Sequence, residues 1–176
     1  MPHINLRTDL FGITSLLDYR KEVAKPLCEL TQLLLRGEST LSEAEREMIA
    51  AHVSYLNECK FCSSAHHAAA CVLPGGDKPA TGKMKSLLAI AEKVQLGGNH
   101  VHQEQVDEAR QQGATDREIH DTVLIAALFC LYNRYVDGLA TVAPADPNFY
   151  AALAKRITTR GYRMPEDGYH ALTVNK

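Results

Sequence analysis

Two cysteines three residues apart, Cys59 and Cys62, are followed one helical turn later by His66, all within the stretch NECKFCSSAHHAAA. Thiols at that spacing can cycle between dithiol and disulfide, hold a metal, or serve as small apolar core residues. On a helix, positions i, i+3 and i+7 share one face, so the three side chains can meet. Residues i and i+3 also bring their Cα atoms into the disulfide window of about 4.4–6.8 Å. The pattern places Cys59 in the first turn of a helix, where free N–H groups and the helix dipole favour a thiolate, and puts His66 where it can take or relay the proton of Cys62. His67, turned about 100° from His66, is expected to face elsewhere. The metal alternative is a non-enzymatic or structural module with Cys59, Cys62, His66 and Glu47 around zinc; it lacks a second CxxC or HxxxH half. Glu47 precedes Cys59 on a face continued by Ala51, Ser54 and Glu58, and such a lane of small residues lets a carboxylate approach a neighbouring helix closely. Glu43 and Glu45 are expected in solvent.

The elements that must position these residues are helical throughout, since no segment alternates with a strand period. The fold class is all-α. A helix is expected from about Pro26 to Arg36, closed by Gly37, with another helical stretch before it around Ser15 to Ala24. Ser42-Glu43-Ala44-Glu45 reads as a capping box opening a helix to about Leu56, with Ile49, Val53 and Leu56 on its apolar face and Asn57 as its stop. The next helix starts at about Cys59 and reaches Val72, where LPGGDKP forms a turn. Further helices are expected over Lys83 to Leu96 and Gln103 to Gln112. A long helix capped by Thr115 or Asp116 follows, apolar on most faces from Val123 to Leu131 and so central or at an interface. A last helix is opened by Pro147 and runs to about Thr159; the tail 161–176 reads as irregular. LSEAEREMIAAHVSYL and ATDREIHDTVLIAALF share a capped, acidic start and an apolar continuation, a faint internal repeat. The chain thus reads as one domain with an N-terminal helical extension over about residues 1–40.

With 176 residues, 45% of them hydrophobic, the chain can build a core without staples. Nineteen basic against 21 acidic residues, net charge −2, argue against nucleic acid, which needs a concentrated basic surface. The N-terminus lacks the basic start and apolar run of a secretory signal, and nowhere do about 18 apolar residues run together, so the expectation is a cytoplasmic protein without a membrane partner. Five cysteines, an odd number without framework spacing, are a poor disulfide scaffold. Cys28, Cys71 and Cys130 read as core residues. Asn133, Arg134 and Asp137 read as a buried polar network or a subunit contact.

The pattern Glu47-(eleven residues)-Cys59-x-x-Cys62-x-x-x-His66, with Ser54 and Asn57 between, resembles the AhpD-like alkylhydroperoxidases of the carboxymuconolactone decarboxylase superfamily. The likeness runs from about Ile13 to Thr141 and includes Tyr132-Asn133-Arg134-Tyr135-Val136-Asp137, similar to the corresponding helix of peroxidase-related members. It implies a single all-helical domain that assembles as a homotrimer or homohexamer and reduces hydroperoxides through its dithiol. By the same resemblance Cys62 attacks the peroxide, Cys59 resolves, and Glu47 and His66 form a proton relay. No bound cofactor is implied, only an external dithiol reductant, lipoyl or thioredoxin-like. Phe61 stands where well-studied members carry a histidine between the cysteines. A decarboxylase, as in other branches of the superfamily, is the second alternative, and that chemistry has no need of a CxxC pair.

Overall fold

The structure, a computed structural model, describes residues 1–172. Among them lie eight α-helices and one short 3-10 turn, with no strand. In chain order the helices are α1 (Gly12–Tyr19), α2 (Lys21–Arg36), α3 (Glu43–Leu56), α4 (Lys60–Val72), α5 (Gly82–Leu96), α6 (Gln103–Gln111), α7 (Asp116–Gly138) and α8 (Pro147–Arg160). The fold is therefore all-α, as the periodicity indicates. No helix of the described residues is long and apolar enough to cross a membrane.

The helix starts follow local chemistry. Ser42 and Thr115 each complete a capping box, with Glu45 and Glu118 reaching back to the N-cap backbone. Asp146 caps α8, with Pro147 at its first position, where a missing N–H costs nothing. The N-terminal region departs from expectation. The break falls at Arg20 (φ −130°, ψ 79°), and Pro26 lies inside α2 instead of opening it. A proline beyond the first turn forfeits a backbone hydrogen bond and costs about 3 kcal/mol. Here Pro26 is exposed, while Ala24, Cys28, Thr31 and Leu35 bury one continuous face on both sides of it, and that packing keeps the helix intact.

Three apolar clusters hold the helices together. The largest joins α3, α5 and α7 around Ile49, Val53, Leu87, Ile90, Ile125 and Phe129. A second packs α4 against α8: Phe61, Ala65 and Ala69 meet Phe149, Leu153, Ala154 and Ile157. The third ties the tail to the N-terminal helices, with Tyr169 seated among Leu10, Leu17, Ala24 and Cys28. The tail is irregular in backbone through residue 172, yet it is pinned: Tyr169 Oη and Cys28 Sγ are 3.2 Å apart, and Arg7 donates to the Tyr169 carbonyl. The end of the tail reading, 173–176, lies outside the described residues.

The tightest helix pairing is α3 with α4, through the lane of Ala51 and Ser54, both buried. Glu58 does not continue that face as expected; it lies past the end of α3 with φ 59°, in the left-handed region, and turns the chain into α4. Of the cysteines read as core, Cys28 is buried, Cys130 half-buried and Cys71 exposed. Cys71 falls on the outer face of α4 beside His67, whose Nε2 is 3.7 Å from its sulfur. The expectation failed there because an alanine-rich helix gives little apolar contrast between its faces.

Candidate functional site

Glu47 is the centre of the site. It projects from the second turn of α3, is 0% exposed, and meets side chains from three other segments. Its Oε2 is 2.6 Å from His66 Nδ1 on α4. Its Oε1 accepts from Arg36 Nη2, the last residue of α2, at 2.5 Å, and from the Tyr162 hydroxyl, just past α8, also at 2.5 Å. Burial alone would push the Glu47 carboxyl up, but the charges and hydrogen bonds of His66, Arg36 and Tyr162 outweigh it and hold the group below the usual carboxylate range. Glu47 is thus ionised. An ionised carboxylate only accepts, so His66 Nδ1 must carry a proton, and Nε2 is the ring nitrogen left to exchange one. Nε2 has no hydrogen-bond partner among the described residues, and His66 lines the large cavity described below. The ring is held edge-on to Phe129 (centroids 4.4 Å apart) and stacked on Tyr162 (6.0 Å).

Sequence reasoning missed Arg36 and Tyr162. Arg36 reads locally as a C-terminal helix cation, and Tyr162 sits in the tail. Gly161 is what aims Tyr162: at φ +70° it takes a conformation costly for other residues, and a Cβ there would run into the Gln32 side chain. Gln32 Oε1 in turn accepts the Tyr162 backbone N–H at 2.7 Å.

The thiols lie next to this network. Cys59 was expected in the first turn; it is the N-cap of α4 instead, extended at φ −77°, ψ 95°, with Lys60 opening the helix. Its N–H donates to the Ser54 carbonyl and its carbonyl accepts from Ser63, so the backbone on both sides is fixed. Both thiols are free, Cys59 0% and Cys62 2% exposed. Cys62 lines the same cavity as His66, whereas Cys59 is enclosed in the α4–α8 core. The neighbouring Cys59 thiol, followed by burial, raises Cys62 well above the ordinary thiol range, and the Asn133 amide lowers it. Asp137 lies beside Cys59 on α7, its carboxyl raised by burial and lowered by the Cys59 thiol. No hydrogen bond joins Cys62 to His66 directly; the structure brings the two to one cavity wall.

A chain of amides runs inward to the buried Asn133 and Ser54. Gln95 Nε2 donates to Asn57, Asn57 Nδ2 to Asn133, and Asn133 Nδ2 to Ser54 Oγ, at 3.1, 2.9 and 3.0 Å. The polar-network reading of Asn133 therefore holds, while Arg134 is exposed and caps the Cys130 carbonyl. Phe61 leans over Gly12, whose φ of +52° and missing Cβ make room for the ring, and packs near Phe149 and Tyr150. Among the described residues no three His, Cys, Asp or Glu side chains converge as a metal site requires; His66 is turned to Glu47.

The cavity has a volume of about 530 Å³, within the range of small-molecule pockets, roughly 300–1,000 Å³. Cys62, His66 and Phe61 form one wall, α1 and α7 contribute apolar side chains, and the end of α8 with residues 161–169 forms the rest.

The sequence profile of the carboxymuconolactone decarboxylase family matches residues 21–77, the span that holds Arg36, Glu47, Cys59, Cys62 and His66. A peroxidase-related protein from Silicibacter sp. TM1040, itself uncharacterized, is 26% identical and superimposes with a TM-score of 0.67 over 76% of each chain. A second, described as an alkylhydroperoxidase AhpD core and a peroxidase-related protein from Ralstonia eutropha JMP134, is 22% identical. It covers 83% of this chain and 82% of its own at a TM-score of 0.71, and at that identity it speaks for the fold alone. No curated protein matches the chain significantly. Together the profile match and the 26% identical structure support the AhpD-like, carboxymuconolactone decarboxylase superfamily reading of the sequence, and the second structure supports its fold.

Proposed function

We propose that this protein is a thiol peroxidase that reduces hydroperoxides through a Cys59–Cys62 dithiol and disulfide cycle. The observation that carries the reading is one cavity wall holding both Cys62 and an imidazole whose other nitrogen is locked by a buried carboxylate. His66 Nε2 takes the Cys62 proton, directly or across one water. The thiolate attacks the terminal peroxide oxygen: an S–O bond forms, the O–O bond breaks, and the leaving alkoxide takes the proton back as the alcohol. Cys62 is now a sulfenic acid, oxidised by two electrons. The Cys59 sulfur attacks it, the S–S bond forms, and water leaves. An external dithiol, lipoyl or thioredoxin-like, reduces the disulfide and is itself oxidised to one. Cys59, shut in the core, suits the resolving role because peroxide reaches the cavity side first.

The raised Cys62 thiol makes the base necessary: little thiolate exists at neutral pH without help. The resemblance also carries a homotrimer or homohexamer; exposed Leu33, Tyr55, Leu96 and Leu131 are apolar surface for such an assembly to cover. The test is stoichiometric peroxide on the reduced protein, followed by peptide mapping and zinc analysis. A Cys59–Cys62 disulfide is expected. Bound zinc with peroxide-inert thiols would favour the metal module, and metal-free inert thiols the decarboxylase branch.

A further inference from the structure

Arginine pairing in this protein divides sharply. Every arginine from Arg7 to Arg134 donates a hydrogen bond to a carboxylate or a backbone carbonyl. Arg156, Arg160 and Arg163 have no acceptor among the described residues, and all three line the cavity that holds Cys62 and His66. Arg160 and Arg163 are exposed, so water serves them. Arg156 is not: it is half-buried, flanked along α8 by Leu153 and Ile157, and among the described residues its charge-compensating contact is the Tyr169 ring, 5.7 Å from the guanidinium carbon. Burial lowers its pKa, and the like charge of Arg160 one turn on lowers it further. The acids at this end do not compensate. Asp167 is turned to His170, and Glu166, though it lines the cavity, makes no ion pair with an arginine. A sheltered cation without a counter-charge is unfavourable unless something else supplies one. Ile13, Leu17, Phe61, Phe129, Leu153 and Met164 give the cavity an apolar surface beside these cations.

We propose that the cavity binds amphipathic carboxylates, with the acid group on Arg156, backed by Arg160, and the apolar body running toward Cys62. Resting on the peroxidase reading, this makes the substrate class a hydroperoxide of an aliphatic or aryl carboxylic acid, its peroxide end at Cys62. A planar guanidinium matches a carboxylate bidentately, and the apolar walls strengthen that pairing by excluding water.

The test separates binding from redox chemistry by using probes without a peroxide. Octanoate and its neutral isostere octanamide are titrated calorimetrically into the full-length reduced protein, into Arg156→Leu and into Arg156→Lys. Octanoate is expected to bind the native protein at least tenfold more tightly than octanamide. Arg156→Leu should erase that preference by weakening octanoate alone, and Arg156→Lys should restore part of it. Equal affinity of the native protein for the two probes, or an octanoate affinity unmoved in a folded Arg156→Leu, overturns the proposal. The native comparison stands even if a variant fails to fold. Octanoate preference in a protein that consumes no hydroperoxide would retain the carboxylate site and discard the peroxidase reading. Turnover of cumene hydroperoxide with no octanoate preference would do the reverse.

Discussion

Replacing Glu47 by Gln tests the centre of the site with almost no change in volume. The carboxylate now receives three donors, His66 Nδ1, Arg36 Nη2 and Tyr162 Oη, at 2.6, 2.5 and 2.5 Å. A Gln side chain has one accepting oxygen and an NH₂ that only donates, so at least one of these donors must face another donor. Arg36, with a side chain 5% exposed, also loses its closest counter-ion and keeps only Glu43 at 3.4 Å. Removing one partner of a buried pair costs about 3–5 kcal/mol, against about 0–1 for a surface pair. Since Glu43 offers partial compensation, the expected loss is about 3 kcal/mol. In a domain of this size that lowers Tm by roughly 6–12 °C. Urea unfolding of both proteins at several pH values is the assay. The sign of the pH effect follows from the depressed Glu47 carboxyl. Its contribution is fully present above the ordinary value of 4.5 and is lost as pH falls through the folded value. The gap between native and Glu47→Gln should therefore be full at pH 7 and shrink below pH 4.5. A loss under about 1 kcal/mol at pH 7 would refute the claim that Glu47 is an ionised hub. A gap that stays constant down to acid unfolding would show that packing, not charge, is responsible.

Tyr162→Phe removes one hydrogen bond donated to the Glu47 carboxylate and should cost about 1.5–3 kcal/mol by urea unfolding, while Gly161→Ala, which strains the left-handed turn and meets Gln32, should cost at least about 1 kcal/mol and slow Cys62 oxidation by displacing the same hydroxyl. Cys59→Ala should shift the pH midpoint of Cys62 alkylation by iodoacetamide downward, because the neighbouring Cys59 thiol is the largest influence raising it; an upward or absent shift would contradict that coupling. Glu58→Gly, relieving φ 59° at an exposed turn, should raise stability by about 0.5–1 kcal/mol, and a destabilised variant would mean that the Glu58 side chain has a role beyond the turn. Glu118, held down to about 2 by Lys83 and the Thr115 cap against the opposing effect of burial, adds to acid sensitivity: Glu118→Gln should destabilise at pH 7 and approach the native protein as pH falls from 4.5 toward 2.

Much of the helical framework is local and could be read from the chain. Ser42 with Glu45 and Thr115 with Glu118 announce their helices because a capping box needs only four consecutive residues. The thiols and His66 could be placed on one face for the same reason, since a helix converts spacing into direction over a few residues. Two misreadings show the limit of local rules. Pro26 was expected to start a helix, but the face that α2 buries on both sides of it outweighs its missing hydrogen bond; Cys71 was expected inside, and the neighbours of α4 leave it in solvent.

Glu47 could be singled out through resemblance, but its neighbours could not. The Tyr162 hydroxyl that meets it comes from 115 residues further along the chain. No period, cap or spacing relates the two, because their contact depends on α8 packing against α4 and on one glycine turning the chain back at its end. The same holds for the cavity and for Arg156. In the sequence Arg156 and Arg160 are ordinary cations near a helix C-terminus, a favourable place for positive charge. Only the folded tail, with Tyr169 anchored among the N-terminal helices, converts that end of α8 into a sheltered wall facing Cys62. The sequence by itself determined the helices and the faces on which reactive side chains lie, because backbone hydrogen bonding and capping act over a few residues. Tertiary structure alone decided which charges are deprived of water, which partners compensate them and which is left without one, because desolvation depends on everything that packs around a group.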